Sequence, residues 1–205
     1  MSKVDFKKEH RELYSPPKKF VIVDVPDMLF LMVDGHGDPN VAQEYQDAVE
    51  ALYAVAYKIK FASKKQLGKD YVVPPLEGLW WAEDMDAFTS ARDKSQWDWT
   101  IMIMTPGWIT SQTFVDAIEQ VRVGKNPAAL DKVRLESYHE GLSVQILHIG
   151  SYDDEGPTLI KLHSEYIPEN GYVENGVHHE IYLGDPRRVA PEKLKTVLRQ
   201  PIRKS

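Results

Sequence analysis

The sequence predicts an α+β fold in which a strand–helix–strand–strand unit is used twice around a central trough. Three observations carry this. Short runs rich in Val, Ile and aromatic residues, bounded by Gly and Pro, recur along the 205 residues as strand signals. One long stretch, 41–65, has no Pro or Gly and repeats apolar residues at helical spacing. The same pattern restarts in the second half.

The elements follow in order. Residues 1–18 read as a polar N-terminal arm ending in "SPPKK", whose diproline stops any helix. "KFVIVDVP" (Lys19–Pro26) and "MLFLMVDG" (Met28–Gly35) read as strands, and "GHGDPN" as a turn. Asn40 is a candidate cap for the helix over 41–65, whose apolar face holds Tyr45, Ala48, Val49, Leu52, Ala56 and Ile59. "DYVVPPLEGLWWAE" (Asp70–Glu83) is extended, and "MDAFTSARDKSQW" is a looser connection with room for a helical turn. "DWTIMIMTP" (Asp98–Pro106) is a strand, apolar on both faces. "TSQTFVDAIEQVRVGK" is a helix with Phe114, Ile118 and Val121 at helical spacing, and "NPAALDKV" a short one.

In the second half, "VRLESYHEG" is a strand or turn and "LSVQILHIGSY" (Leu142–Tyr152) a strand. "EGPTLIKLHSEYIPEN" is a helix with Pro157 in its first turn. "HHEIYLGDP" (His178–Pro186) holds a strand, and "APEKLKTVLRQPI" reads as a basic helical turn. One domain therefore spans 19–186, with repeats at about 19–110 and 131–186, followed by a basic C-terminal segment, 187–205.

Composition narrows the function. The formal net charge is −6, which disfavours direct nucleic-acid binding. No apolar run is long enough to span a membrane, and the charged N-terminus lacks a signal peptide's apolar stretch. A cytoplasmic location is expected. There is no cysteine, so disulfides and thiolate chemistry are excluded. Trp80, Trp81, Trp97, Trp99 and Trp108 cluster within thirty residues. Core packing and a concave aromatic pocket both fit that cluster.

Setting Pro106 against Pro186 lays "DWTIMIMTP" over "HHEIYLGDP", with Thr100 over Glu180 and Met102 over Tyr182. Upstream, Gly37 lies over Gly150. Side chains alternate along a strand. Glu180 and Tyr182 therefore share one face, and Ile181 and Leu183 the other. Ile181 and Leu183 suit a helix-covered core, as do Ile101 and Ile103. Glu180, Tyr182, Thr100 and Met102 then face the trough. The plainer reading of Glu180 is a solvated strand residue paired with Arg187 or Arg188.

The two-copy plan, the Gly turn before each helix and "HHEIYLGDP" resemble the GyrI-like small-molecule-binding domain, an SHS2-like duplication. The DNA gyrase inhibitor and the effector domains of multidrug-responsive regulators share that domain. "VDVPDMLFLMVDGHGDPN", "PLEGLWW" and "HHEIYLGDPRRVAPEKL" together resemble its stand-alone subfamily, and only about eighteen residues precede the first strand. The resemblance implies a pocket for bulky, flat aromatic or cationic molecules, with an acid at its floor matched here by Glu180. Some stand-alone members hydrolyse cyclopropane-bearing DNA-alkylating compounds of the yatakemycin type and so protect the cell.

On this reading Glu180 is the candidate general base and Tyr182 its catalytic neighbour. Burial would raise the glutamate's pKa towards the range of a working base. Trp80, Trp81, Glu77, Thr100, Met102 and Tyr138 are candidate ligand contacts, with one of Trp80 and Trp81 facing the trough. His178 and His179 are adjacent on a strand, point to opposite faces and do not chelate one ion easily. No metal or cofactor is expected. A non-catalytic drug sponge or sensor and a gyrase-inhibitor-like protein are the alternative functions.

Overall fold

The computed structural model describes residues 3–83 and 93–205. Most of the helical turn expected in 85–97 lies outside them. The arm contains two single turns, α1 (Phe6–Glu9) and α2 (Arg11–Tyr14). Then come β1 (Val21–Val25), β2 (Met28–His36), α3 (Gln43–Ala62), β3 (Leu76–Trp81), β4 (Asp98–Thr105) and α4 (Ser111–Val123). The second half has β5 (Arg134–Tyr138), β6 (Gly141–Ile149) and α5 (Gly156–Ile160). A π-helical segment (Lys161–Tyr166) joins α5 to α6 (Ile167–Glu169), ahead of β7 (Tyr172–Glu174), β8 (His178–Tyr182) and β9 (Lys195–Lys204).

The strands form an antiparallel sheet in the order β1-β6-β9-β8-β3-β4-β2-β5, with β7 against β9. Two equivalent units are visible in that order. One is β2-α3-β3-β4, arranged β3-β4-β2; the other is β6, its helical segment, β8 and β9, arranged β8-β9-β6. The repeat is present, but its alignment differs from the sequence overlay. Topology matches β8 to β3 and β9 to β4, so "HHEIY" corresponds to "LEGLWW" rather than to "DWTIMIMT". The leading strands are exchanged: β1 pairs with β6, and β5 with β2.

Three local expectations are corrected. The C-terminal segment is strand β9, because β6 and β8 both supply partners for it; only Pro191–Lys193 is helical. Leu194, Val197 and Leu198 mimic helical spacing, yet pairing overrides that pattern. Asn40 does not cap α3, which starts after Ala42 with no side-chain cap; its amide donates to Asp38 instead. Thr110 does cap α4, accepting from the Thr113 amide. The N-terminal arm, finally, is docked on the sheet, with Phe6, Leu13 and Tyr14 buried.

Opposed residues of an antiparallel pair share a face. Gly78, Trp80, Trp99, Ile101, His178 and Glu180 therefore share one side, and Tyr182 follows by alternation. That side packs on α3 and on Leu159 of α5. Glu77, Leu79, Trp81, Thr100, Met102, His179 and Ile181 share the opposite side, which the arm covers through Phe6, Leu13 and Tyr14. Leu13 is only 2% exposed. Leu13→Ala is expected to cost about 2–5 kcal/mol in chemical denaturation. Val123→Ser, at an 89% exposed position, should leave stability unchanged.

Candidate functional site

The seam between the repeats is the β3–β8 pair, in register from Glu77↔Ile181 to Trp80↔His178. Glu180 lies opposite Gly78 and is 8% exposed. The Tyr182 hydroxyl donates to Glu180 Oε2 at 2.8 Å, and Trp80 Nε1 donates to the Tyr182 oxygen at 2.9 Å. A glycine is required beneath them. A Cβ on Gly78 would meet Trp80 Nε1 at 2.6 Å and the Tyr182 hydroxyl at 3.2 Å.

Aromatic rings pack around Trp80 and Tyr182 beside this acid. Tyr45 of α3 stacks on Trp80 at 6.1 Å and meets Trp99 edge-on at 5.2 Å. Trp97 meets Trp80 edge-on at 5.7 Å, and Tyr152 meets Tyr182 at 5.5 Å. Burial, then the Glu180 charge, pushes the Tyr45 and Tyr182 hydroxyls up. Tyr152 rises to about 12 through burial and the charges of Glu155 and Glu180. All three hydroxyls therefore keep their protons near neutral pH and can donate. His178 Nε2 lies 3.7 Å from Glu180 Oε1. Burial, with His163 and His179 nearby, pushes His178 well below its ordinary pKa, so it is neutral.

The structure separates the residues that sequence reasoning grouped together. Glu180, Tyr182 and Trp80 meet on one face. Thr100 and Met102 lie on the other: they oppose Leu79 and Glu77, not Glu180. Trp81 and Tyr138 also belong to that other face, packed with Phe30 and Met102. The face assignment was inverted, since Glu180 and Tyr182 lie on the helix side and Ile181 under the arm. Tyr45 and Tyr152 were missed as site residues. The spacing places Tyr45 on the apolar face of α3, and only the fold brings it near Glu180.

Glu77 joins a second polar cluster on the arm side. Tyr14 donates to Glu77 Oε1 at 2.9 Å. Burial alone would lower the His179 pKa, but Glu140 and Glu77 outweigh it and push the imidazole up to about 9. The resulting imidazolium donates from Nε2 to Glu77 at 3.0 Å and from Nδ1 to Glu140 at 3.0 Å. Burial would raise Glu140, but His179 and Arg199 hold it down at about 2. Arg199 donates to Glu140 at 2.9 Å, to Gln145 at 2.9 Å and to the Leu13 carbonyl at 2.7 Å. Gln145 donates to the Glu12 carbonyl at 2.6 Å. Two carbonyls at the end of α2 are thereby satisfied, which fastens the arm.

The GyrI-like small molecule binding domain family matches residues 18–203. The chain belongs to that family and carries its small-molecule-binding domain. An uncharacterized conserved protein from Listeria innocua is 41% identical with a TM-score of 0.89, and the match covers 98% of this chain and 100% of that one. A structure from the same organism, described as a hydrolase, is 39% identical with a TM-score of 0.88 over 98% of this chain and 100% of that one. The EcmrR C-terminal domain, at 12% identity and a TM-score of 0.59 over 91% of this chain and 98% of that one, shares the fold alone. No curated protein matches the chain. No helix among the described residues is long and apolar enough to cross a membrane.

Two outcomes follow from this geometry. Gly78→Ala should displace Trp80 and Tyr182 and shift the tryptophan emission spectrum; an unchanged spectrum contradicts the close packing. The second concerns pH. His179 is raised from 6.5 to about 9 on folding. Its contribution to stability is complete below the unfolded value and is lost as pH rises through the folded one. The denaturation midpoint should fall from pH 6.5 to 9, and His179→Gln should remove that slope while destabilising the protein by ~3–5 kcal/mol. His178 has the opposite sign, because its folded pKa lies below 6.5. Its contribution is lost as pH falls below 6.5.

Proposed function

We propose that the Glu180 site binds flat aromatic or cationic small molecules and hydrolyses cyclopropane-bearing genotoxins of the yatakemycin type. The supporting observation is a largely buried carboxylate held by Tyr182 at the seam, beside an aromatic cluster of Trp80, Trp97, Tyr45 and Tyr152. The Listeria innocua relative described as a hydrolase, at 39% identity, supports the choice of reaction class.

Ring opening needs a base and a polarised carbonyl. Glu180 takes a proton from water, and the water oxygen bonds to a cyclopropane carbon. The adjacent carbon–carbon bond breaks, and its electron pair moves through the dienone onto the carbonyl oxygen as a phenolate. Tyr182 already donates to Glu180, so it positions the base. Tyr45 and Tyr152, whose hydroxyls both sense the Glu180 charge, are the groups suited to donate towards the developing phenolate. Aromatic faces hold the planar body of the substrate by stacking.

The same acid and rings also suit a cation, which favours a second reading as a binder without turnover. The loss of the dienone chromophore during incubation with a yatakemycin-type cyclopropanoid separates the two. Glu180→Gln is expected to lower kcat by about 10²–10⁴-fold while leaving binding near the wild-type level. Tight binding with unchanged ligand after long incubation would establish the binder. Full activity in Glu180→Gln would remove the assigned role.

A further inference from the structure

Behind Glu180 a line of titratable side chains leads from the site to the surface. His178 on β8 is its first member, with Nε2 at 3.7 Å from Glu180 Oε1. The His178 ring lies beside the His163 ring, with centroids 5.6 Å apart and planes tilted by 53°. His163 Nδ1 is 2.7 Å from Glu174 Oε1 on β7. Side-chain exposure is 0% at His178, 6% at His163 and 37% at Glu174, so the line runs from the interior to solvent.

Two features set His163 apart from an ordinary packed histidine. Its Nε2 atom is buried with no hydrogen-bond partner among the described residues. An unpartnered buried nitrogen is costly. With Nδ1 donating to Glu174, Nε2 is left as an acceptor on the buried side. The second feature is backbone geometry. His163 sits in the π-helical segment Lys161–Tyr166, between α5 and α6. Such segments are uncommon and concentrate at functional sites. From β9, Gln200 lies beside His178.

We propose that His178, His163 and Glu174 form a proton relay that returns the proton taken up by Glu180 to solvent. The proposal rests on the hydrolytic reading of Glu180. After water attacks, Glu180 carries the proton as a carboxylic acid. His178 accepts that proton at Nε2 and releases one from Nδ1. His163 accepts at Nε2 and releases one from Nδ1 to the Glu174 carboxylate, which exchanges with water. One proton leaves, each imidazole ends neutral, and reorientation of the rings resets the chain. Closing the 3.7 Å gap to a hydrogen bond of ~3.0 Å needs only a small shift of either side chain. Glu180 is thereby restored to the basic form for the next turnover.

The test uses the full chain and a yatakemycin-type cyclopropanoid, with turnover followed by its chromophore and affinity measured separately. His163→Gln is expected to lower kcat about tenfold or more with ligand affinity unchanged, and added imidazole should restore the rate. Glu174→Gln, at the exposed end, should lower kcat in the same direction and make the rate depend on buffer concentration. It carries the test if His163→Gln does not fold. Wild-type kcat and no buffer dependence in these variants, with Glu180→Gln inactive, overturns the relay and leaves the hydrolase reading standing. Absence of turnover by the wild-type protein overturns both.

Discussion

Pairing of β3 with β8 joins the two halves of the sheet, and what each of their side chains can touch depends on it. The register sets Gly78 opposite Glu180 and Leu79 opposite His179. Because side chains alternate, five consecutive residues of β8 serve two separate environments. His178, Glu180 and Tyr182 face the helices and the aromatic ring. His179 and Ile181 face the N-terminal arm. A slip of one residue would exchange those sets. It would bring the His179 imidazolium under the helices and strand Glu77 and Glu140 without their partner.

The arm-side cluster supplies the penalty against such a slip. Glu77, His179, Glu140 and Arg199 are nearly inaccessible to water, and removing one partner from such a group costs about 3–5 kcal/mol. The cluster thus specifies register more than it adds stability. It also reaches the N-terminal arm, since Tyr14 donates to Glu77 and Arg199 to the Leu13 carbonyl. The exchange of β1 and β5 between the halves works in the same direction. Neither repeat is complete without a strand from the other, so the seam is held from its edges as well as its centre.

Much of this was legible in the sequence, and the misreadings have physical causes. Periodicity revealed α3, α4 and most strands, and alternation alone paired Glu180 with Tyr182. Which face each pair occupies was not legible, because that depends on what covers the sheet. The cover of one face is an arm whose few apolar residues, Phe6, Leu13 and Tyr14, are diluted among charges. Glu77 was visible as a second acid, but its partner His179 comes from a strand a hundred residues away. The repeat was visible too. Its alignment failed because the two proline-terminated segments look alike while occupying different places in the strand order.

A role for Glu180 in the reaction requires that ligand bind on the helix-facing side of the β3–β8 seam. A crystal structure of Glu180→Gln with a yatakemycin-type cyclopropanoid tests this directly. The planar ligand is expected among Trp80, Tyr45 and Tyr152, with its cyclopropane carbon reachable from residue 180 through one water. Ligand found instead on the arm side, against Glu77 and Tyr138, would contradict it.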